Sequence, residues 1–358
     1  MIPYVEVRDK YSRLPFAIVE PVECWFELVY YGCGSFEVYA RATKATLAAL
    51  KDGNYITIPN KPYIWVIETV EQRYEAGRGY MISARGRQAK AILGKRVINE
   101  ITQLPNDLTS AVLGLIQKHA SKGATPARVI SGLVELTSVV VKPITETQVS
   151  YENLLDYTEE LLKAYEVGAE LTITEAAAFR YSIYDGADRS DTVIFSQTFD
   201  NLLSSSYTRT EETARSYAMI GGQGEGTARV LAEYNADPSK IGIDRAEIFV
   251  DAKDISSKYK DSSGTEQELD LSSAAGLATY RGWLTAKGQI ALAENTVVET
   301  FEGEINTEAS RYKFGEDFNL GDRVRVQDDF LGVYITPRIL KFTMRQDRTY
   351  SELVEYGG

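Results

Sequence analysis

Polar and apolar residues alternate with a period of two through the opening of the chain, a pattern that suits a β-sheet with one buried and one solvated face and conflicts with a helix. Cys24-Trp25-Phe26-Glu27-Leu28-Val29-Tyr30 is followed by Gly32 and Gly34, then by the alternating run Ser35-Phe36-Glu37-Val38-Tyr39-Ala40. Tyr55-Ile56-Thr57-Ile58, stopped by Pro59, reads as a strand, and so does Tyr63-Ile64-Trp65-Val66-Ile67-Glu68, where Pro62 stands at a strand start. Tyr80-Met81-Ile82-Ser83 completes the set.

From about Gln88 the period lengthens. Leu108, Val112, Leu115, Ile116 and His119 fall at helical spacing behind Asn106-Asp107, which can cap the first turn. A second helix is expected over 151–167, with Leu154, Leu155, Leu161, Leu162 and Tyr165 on one side, Ser150 as its cap and Gly168 as its terminator. Alternation then returns at 171–174, 179–184, 192–195 and 216–220, which suggests an antiparallel meander. The stretch 251–276 is rich in Ser, Asp and Lys and reads as an exposed excursion or partial helix.

The end of the chain echoes its beginning. Gly53-Asn54-Tyr55-Ile56-Thr57-Ile58, Ile67-Glu68-Thr69-Val70, Tyr80 and Gly86 have counterparts in Gly321-Asp322-Arg323-Val324-Arg325-Val326, Ile339-Leu340-Lys341-Phe342, Tyr350 and Gly357. Each run is a turn glycine, an alternating strand, a second strand carrying Ile and a third starting at Tyr, so an internal duplication of a β-module is expected.

Charge and motif content narrow the function. The 358 residues carry a net charge of −12, and so acidic a surface repels phosphate backbones and anionic membranes. No stretch approaches the ~18–20 apolar residues of a membrane span, and Met1-Ile2-Pro3-Tyr4-Val5-Glu6 does not resemble a secretion signal. Cys24 and Cys33 have no second pair with which to make a zinc site and read as ordinary thiols; a disulfide between them needs an oxidising compartment. The single histidine, His119, reads as a partly packed helix-end residue whose charge the helix dipole favours. No G-x-S-x-G or H-E-x-x-H pattern accompanies it. Gly221-Gly222-Gln223-Gly224-Glu225-Gly226-Thr227 lacks a phosphate-reaching lysine and carries a carboxylate, so a hairpin is the better reading. Asp185, Asp188 and Asp191 share one polar loop that could ligate calcium, but without the full EF-hand spacing they read as a solvated acidic turn.

Tyr184-Asp185-Gly186-Ala187-Asp188-Arg189-Ser190, followed by Phe195-Ser196 and Asn201-Leu202, resembles a known family. Ile220-Gly221-Gly222-Gln223-Gly224-Glu225-Gly226-Thr227-Ala228-Arg229, Ile243-Asp244-Arg245-Ala246-Glu247-Ile248-Phe249-Val250-Asp251-Ala252-Lys253-Asp254 and, upstream, Ile92-Leu93-Gly94-Lys95-Arg96-Val97-Ile98 extend the likeness through nearly the whole chain. Together they resemble the siphovirus tail proteins that form the baseplate hub, relatives of tail-associated lysozyme hubs and prophage tail endopeptidase-like proteins.

The resemblance implies a fold that is α+β and mostly β: two tandem barrel-like β-domains, residues 1–90 and 295–358, flanking a mixed α/β region, 91–294. It implies a homotrimer forming a pseudo-sixfold ring that caps the tail tube, passes DNA without binding it specifically, and meets a distal tail protein, a tape-measure protein and tail-tip or receptor-binding proteins. The expected location is the virion tail tip after assembly in the host cytoplasm. No catalytic, cofactor or metal residue carries over, and the chain ends too soon after its last strand for the hydrolase region that larger relatives append. A channel for DNA should be acidic, with Glu68, Glu71, Asp322 and Asp328 among the contributors. Two alternatives stand beside this reading. A peptidoglycan hydrolase would need paired carboxylates ~5–10 Å apart across a cleft. A carbohydrate-binding module would use some of the 23 tyrosines and 3 tryptophans as stacking surfaces, although their alternating positions fit strand packing.

Overall fold

Eleven antiparallel strands drawn from both ends and the middle of the chain make one large sheet in the computed structural model, which describes residues 2–145, 147–260, 265–306, 310–330 and 332–357. Numbered along the chain, these strands are β1 (Val5–Arg8), β2 (Pro15–Val19), β3 (Glu23–Val29), β4 (Ser35–Arg41), β5 (Tyr55–Thr57), β6 (Ile64–Glu75), β7 (Gly79–Gln88), β8 (Leu202–Thr210), β9 (Val298–Ile305), β10 (Arg338–Gln346) and β11 (Tyr350–Gly357). Their spatial order is β8-β9-β11-β10-β3-β4-β7-β6-β5-β1-β2. Period-two alternation sends Phe26, Leu28, Phe36, Val38, Ile82, Ala84, Phe342, Val354 and Phe301 to one face, all buried in one core. Each such Leu or Phe contributes about 1.5–3 kcal/mol by leaving water. The fold is mostly β, and among the described residues no sheet closes into a barrel. The two ends, expected as separate barrel-like units, meet directly: Phe342 lies opposite Leu28 and Met344 opposite Phe26. Their apolar faces align, and one shared core removes more surface from water than two small ones.

The echo between the two ends has a structural basis. Gly53 and Gly321 both hold positive φ, +84° and +89°, where a side chain is strained. Gly53 donates its N–H to Ile67 O and Ile67 donates to Asn54 O; likewise Gly321 donates to Ile339 O and Ile339 to Asp322 O. Tyr55 stands opposite Val66, and Arg323 opposite Arg338. In both hairpins the ladder then slips by one residue, at Glu68 and at Leu340, so that Thr69 faces Arg85 and Lys341 faces Glu355. The same corner, bulge and hairpin therefore occur twice.

A second core holds the helices α2 (Leu108–Ala120) and α3 (Leu154–Ala164); α1 (Lys44–Ala49) is a short helix beside the large sheet. Asp107 caps α2 through Ser110 N. Asn153, rather than Ser150, caps α3, because its side chain reaches the N–H groups of Leu155 and Asp156, while the Ser150 hydroxyl is turned to Asp254 O. Nor does Gly168 terminate α3: Glu166 takes the left-handed conformation, φ +56°, and Gly168 starts a strand where a Cβ would lie 2.2 Å from the Tyr30 ring.

The middle strands are not a simple antiparallel meander. Phe179–Tyr184 pairs antiparallel with Gly168–Ile173 but parallel with Leu133–Ser138, and Tyr217–Gly221 pairs parallel with Glu247–Asp251. Local alternation marks a strand without marking its partner, and these partners come from across intervening helices and loops. Within the stretch 251–276, of which residues 261–264 lie outside the described residues, Lys258–Lys260 pairs antiparallel with Glu266–Glu268, and the first turn of α4 (Ala274–Glu294) follows, capped by Ser273. This helix carries no single apolar stripe because it is covered on two sides: Tyr280 and Leu284 join a third core with Ala218 and Ile220, while Ile290 joins the second.

Candidate functional site

The polar face of the large sheet carries charged side chains in cross-strand register. Opposite the core, β3 and β4 present Trp25, Glu27, Glu37 and Tyr39, β7 presents Ser83 and Arg85, and β10, β11 and β9 present Lys341, Thr343, Glu355, Glu302 and Glu304. Opposite charges meet across strands: Lys341 Nζ lies 2.6 Å from Glu355 Oε2, Arg85 Nε 3.3 Å from Glu37 Oε1, and Arg85 also pairs with Glu71. Each cross-strand pair is worth about 0.2–1 kcal/mol, so the ladder sets register and wets the face more than it stabilises the sheet.

Beneath this sheet lies a buried polar junction. The Asp322 carboxylate, 4% exposed, accepts from Ala187 N (2.8 Å), Asn319 N (2.9 Å) and Arg189 Nε (2.8 Å). Gly186 permits this approach, since a Cβ there would sit 1.8 Å from Gly321 O. Arg338, 6% exposed, donates to Gly321 O (2.6 Å) and Asp185 Oδ1 (3.2 Å), with its guanidinium 5.2 Å from the centre of the Tyr30 ring. The run 184–190 is thus the segment that docks the middle of the chain onto the C-terminal corner. Similarly, Arg229 binds the carbonyls of Gly221 and Gly222 and the Asp251 carboxylate, joining two other runs of the resemblance.

Most residues singled out in the sequence prove architectural. Asp185 pairs with Lys142 (3.0 Å) and Arg338, Asp191 pairs with Arg325 (3.2 Å), and Asp188 accepts from Ser190 N (2.9 Å). The three carboxylates are therefore turned to three different partners rather than to a shared centre. Burial works against the Asp185 charge, but Lys142 and Arg338 outweigh it and hold the carboxyl below its usual range. Among the described residues no group of three or more His, Cys, Asp or Glu could hold a metal ion. Both cysteines are free thiols, and burial pushes Cys24 and Cys33 up to about 12, which keeps them protonated and unreactive at neutral pH. His119 is 1% exposed, with Nδ1 3.1 Å from Asn99 Oδ1, and burial pushes it down to about 4. It is neutral, so the expected help from the helix dipole does not arise. The glycine-rich run 221–227 forms a hairpin, since Tyr217–Gly221 pairs antiparallel with Leu231–Asn235.

The expected channel carboxylates need correction. Asp322 and Asp328 are 4% and 3% exposed and belong to the interior; Asp328 accepts from Ser205 Oγ at 2.7 Å. Glu68 is exposed, but the Arg87 fork binds both its oxygens and holds it below the usual carboxylate range. The carboxylates aligned on the polar face include Glu27, Glu37, Glu302, Glu304 and Glu355. The sequence pattern does not mark the last three: 298–305 carries no strand expectation, and the terminal run is marked only by Tyr350 and Gly357.

One titrating group lies where the second and third cores meet. Glu160 of α3 packs towards α4, and burial pushes it up to about 7; Glu294, Glu152 and Asp156 add to the rise and Lys287 opposes it. A carboxyl whose pKa is raised on folding favours the native state most at low pH, and this contribution is lost as pH climbs from about 4.5 to about 7. Glu160→Gln is accordingly expected to be more stable than wild type at pH 8, by about 1 kcal/mol after screening by solvent, and to match it near pH 4. Calorimetry at the two pH values checks this, and an equal difference at both would show that the carboxyl is not the cause.

Comparison with known proteins agrees with this architecture. Across 99% of this chain the fold is similar to a tail protein from Neisseria meningitidis MC58 (TM-score 0.60, 13% identity, 96% of that chain). It is likewise similar to the 43 kDa tail protein of prophage MuSo2 from Shewanella oneidensis (TM-score 0.60, 13% identity, 99% of this chain and 98% of that one). A third similar structure is prophage tail protein gp18 from Listeria monocytogenes EGD-e (TM-score 0.55, 11% identity, 99% and 94%). No curated protein sequence matches significantly. The Siphovirus ReqiPepy6 Gp37-like protein model matches residues 4–355. With almost its whole length inside that match, the chain belongs to the Siphovirus ReqiPepy6 Gp37-like protein family.

Proposed function

We propose that this protein is a structural hub at the end of the tail tube: a homotrimer whose chains each supply two similar half-sheets, so that three copies make a pseudo-sixfold ring around a channel for DNA. The observation that carries the reading is the strand order β8-β9-β11-β10 followed by β3-β4-β7-β6. Both halves run in the same sense, and both end in the hairpin with the duplicated glycine corner. A threefold assembly that must match a sixfold tube needs two equivalent surfaces per chain. In this reading the polar face lines the channel, where its carboxylates keep phosphate backbones from adhering. Distal tail, tape-measure and tail-tip or receptor-binding proteins are the proposed neighbours, the virion tail tip the proposed location, and the role is architectural rather than catalytic.

Native mass spectrometry of the purified protein is expected to give a trimer, and negative-stain class averages a ring with six similar lobes. A stable dimer, or a species that stays monomeric at about 100 μM, defeats the reading. Robust peptidoglycan turnover abolished by one Asp or Glu substitution would defeat the non-catalytic part alone.

A further inference from the structure

We infer that neighbouring copies join by strand addition, with residues 69–75 of β6 in one chain lying antiparallel to residues 204–210 of β8 in the next, and with Arg73 opposite Ser206. The inference rests on the ring reading above and adds the surface, the partner and the register.

The chain contains its own template for this joint. In β10 the first residues are taken by the C-terminal corner, through Ile339 and Arg338, while Lys341–Gln346 pairs with β3, Lys341 opposite Val29 and Arg345 opposite Trp25. In β6 the first residues are taken in the same manner, by β5 and by the Gly53-Asn54 corner. Beyond the bulge, however, β6 pairs among the described residues only with β7, and its other edge carries no strand. At the far end of the sheet β8 pairs, among the described residues, only with β9, and its second edge carries no strand. The vacant edge of β6 corresponds to the occupied edge of β10, and β8 corresponds to β3.

Register follows by carrying the internal pairings across. Lys341 faces Glu355 as Thr69 faces Arg85, so β10 maps onto β6 with Arg345 at Arg73. Glu355 faces Glu302 as Arg85 faces Glu37, and Glu302 faces Ser206 as Glu37 faces Trp25. Trp25 therefore maps onto Ser206, and the pair Arg345–Trp25 becomes Arg73–Ser206 between copies. Glu71 then meets Thr208, and Gln72 meets Tyr207. No residue in 69–75 or 204–210 is Pro or Lys, the residues that commonly protect free strand edges. Tyr74, 66% exposed, and Tyr207, 38% exposed, would both be covered.

A double variant, Arg73→Cys with Ser206→Cys, tests the register. Within one chain the two positions lie on strands seven spacings apart, about 34 Å measured along a sheet that does not close on itself among the described residues, so a link inside a subunit is not expected and would run as a monomer. Mild oxidation is expected to convert the double variant to covalent trimers on a non-reducing gel. Each single variant, and the combination Arg73→Cys with Thr210→Cys, should stay largely uncrosslinked. Wild-type trimers together with no crosslink at 73–206 would overturn the inference and leave the ring reading in place. Crosslinking at 73–210 instead would also overturn it, by establishing another register. If the wild-type chain forms no ring at all, both fall.

Discussion

Replacing Arg338 with alanine is expected to destabilise the protein by about 2–3 kcal/mol, the loss expected when a buried carbonyl loses its donor and a buried side chain its packing. The side chain is 8% exposed and bridges elements far apart in sequence: the Gly321 carbonyl of the C-terminal corner, the Asp185 carboxylate of the docking segment and, at 3.7 Å, Glu166 beyond α3. Removal leaves Gly321 O without its donor and takes one of two cations from Asp185, whose other partner is Lys142. Arg338→Lys should recover little, because a single ammonium cannot reproduce the fork that reaches a carbonyl and a carboxylate together. Arg345→Ala, on the exposed part of the same strand, should change stability by no more than about 0.5 kcal/mol. Urea titrations of the three variants measure the differences. A loss below about 1 kcal/mol for Arg338→Ala would mean that water replaces the guanidinium easily and that the junction does not hold the corner.

How much of this could be read beforehand varied with the physics of each element. The strands around Phe36, Ile56 and Ile82 declared themselves because a sheet with one face on a core must alternate. The duplicated corner was legible because its backbone makes a specific demand, a positive φ that Gly53 and Gly321 meet with little strain, and because the clamped residue is Ile in both copies. Helix α4 was hidden by being packed on two sides. Strand β8 was hidden by composition: Ser204-Ser205-Ser206 reads as a loop, and only pairing with β9 makes it a strand. That omission had a consequence for the site, since β8 and β9 supply two of the four strands of the C-terminal half-sheet, and β8 comes from the middle of the chain. The acidic loop of Asp185, Asp188 and Asp191 was visible as charge but silent about its counter-ions, because Lys142, Arg325 and Arg338 come from distant parts of the sequence.

Gly186→Ala is expected to have an effect of similar size through sterics alone. The added methyl would stand 1.8 Å from Gly321 O, 2.0 Å from its carbonyl carbon and 2.6 Å from Asp322 N, all backbone atoms that no rotamer change can move. The docking segment must therefore retreat from the corner. Retreat breaks the bonds from Ala187 N and Arg189 to Asp322 and leaves a buried carboxylate short of donors, a penalty of several kcal/mol. Gly77→Ala is the fitting control: its φ of +85° carries the strain of a left-handed residue, about 1 kcal/mol, but a Cβ there meets nothing within 4 Å. The consequence should extend past stability. Gly321 and Asp322 clamp Ile339, and that clamp sets the bulge at Leu340 from which the pairing of β10 with β3 begins. A loosened corner should thus disturb the seam between the half-sheets, detectable as faster amide exchange in residues 341–346 while residues 69–75, held by the intact Gly53 corner, exchange as in wild type. Equal acceleration in both segments would indicate general unfolding and would separate the docking role of Gly186 from any control over the sheet.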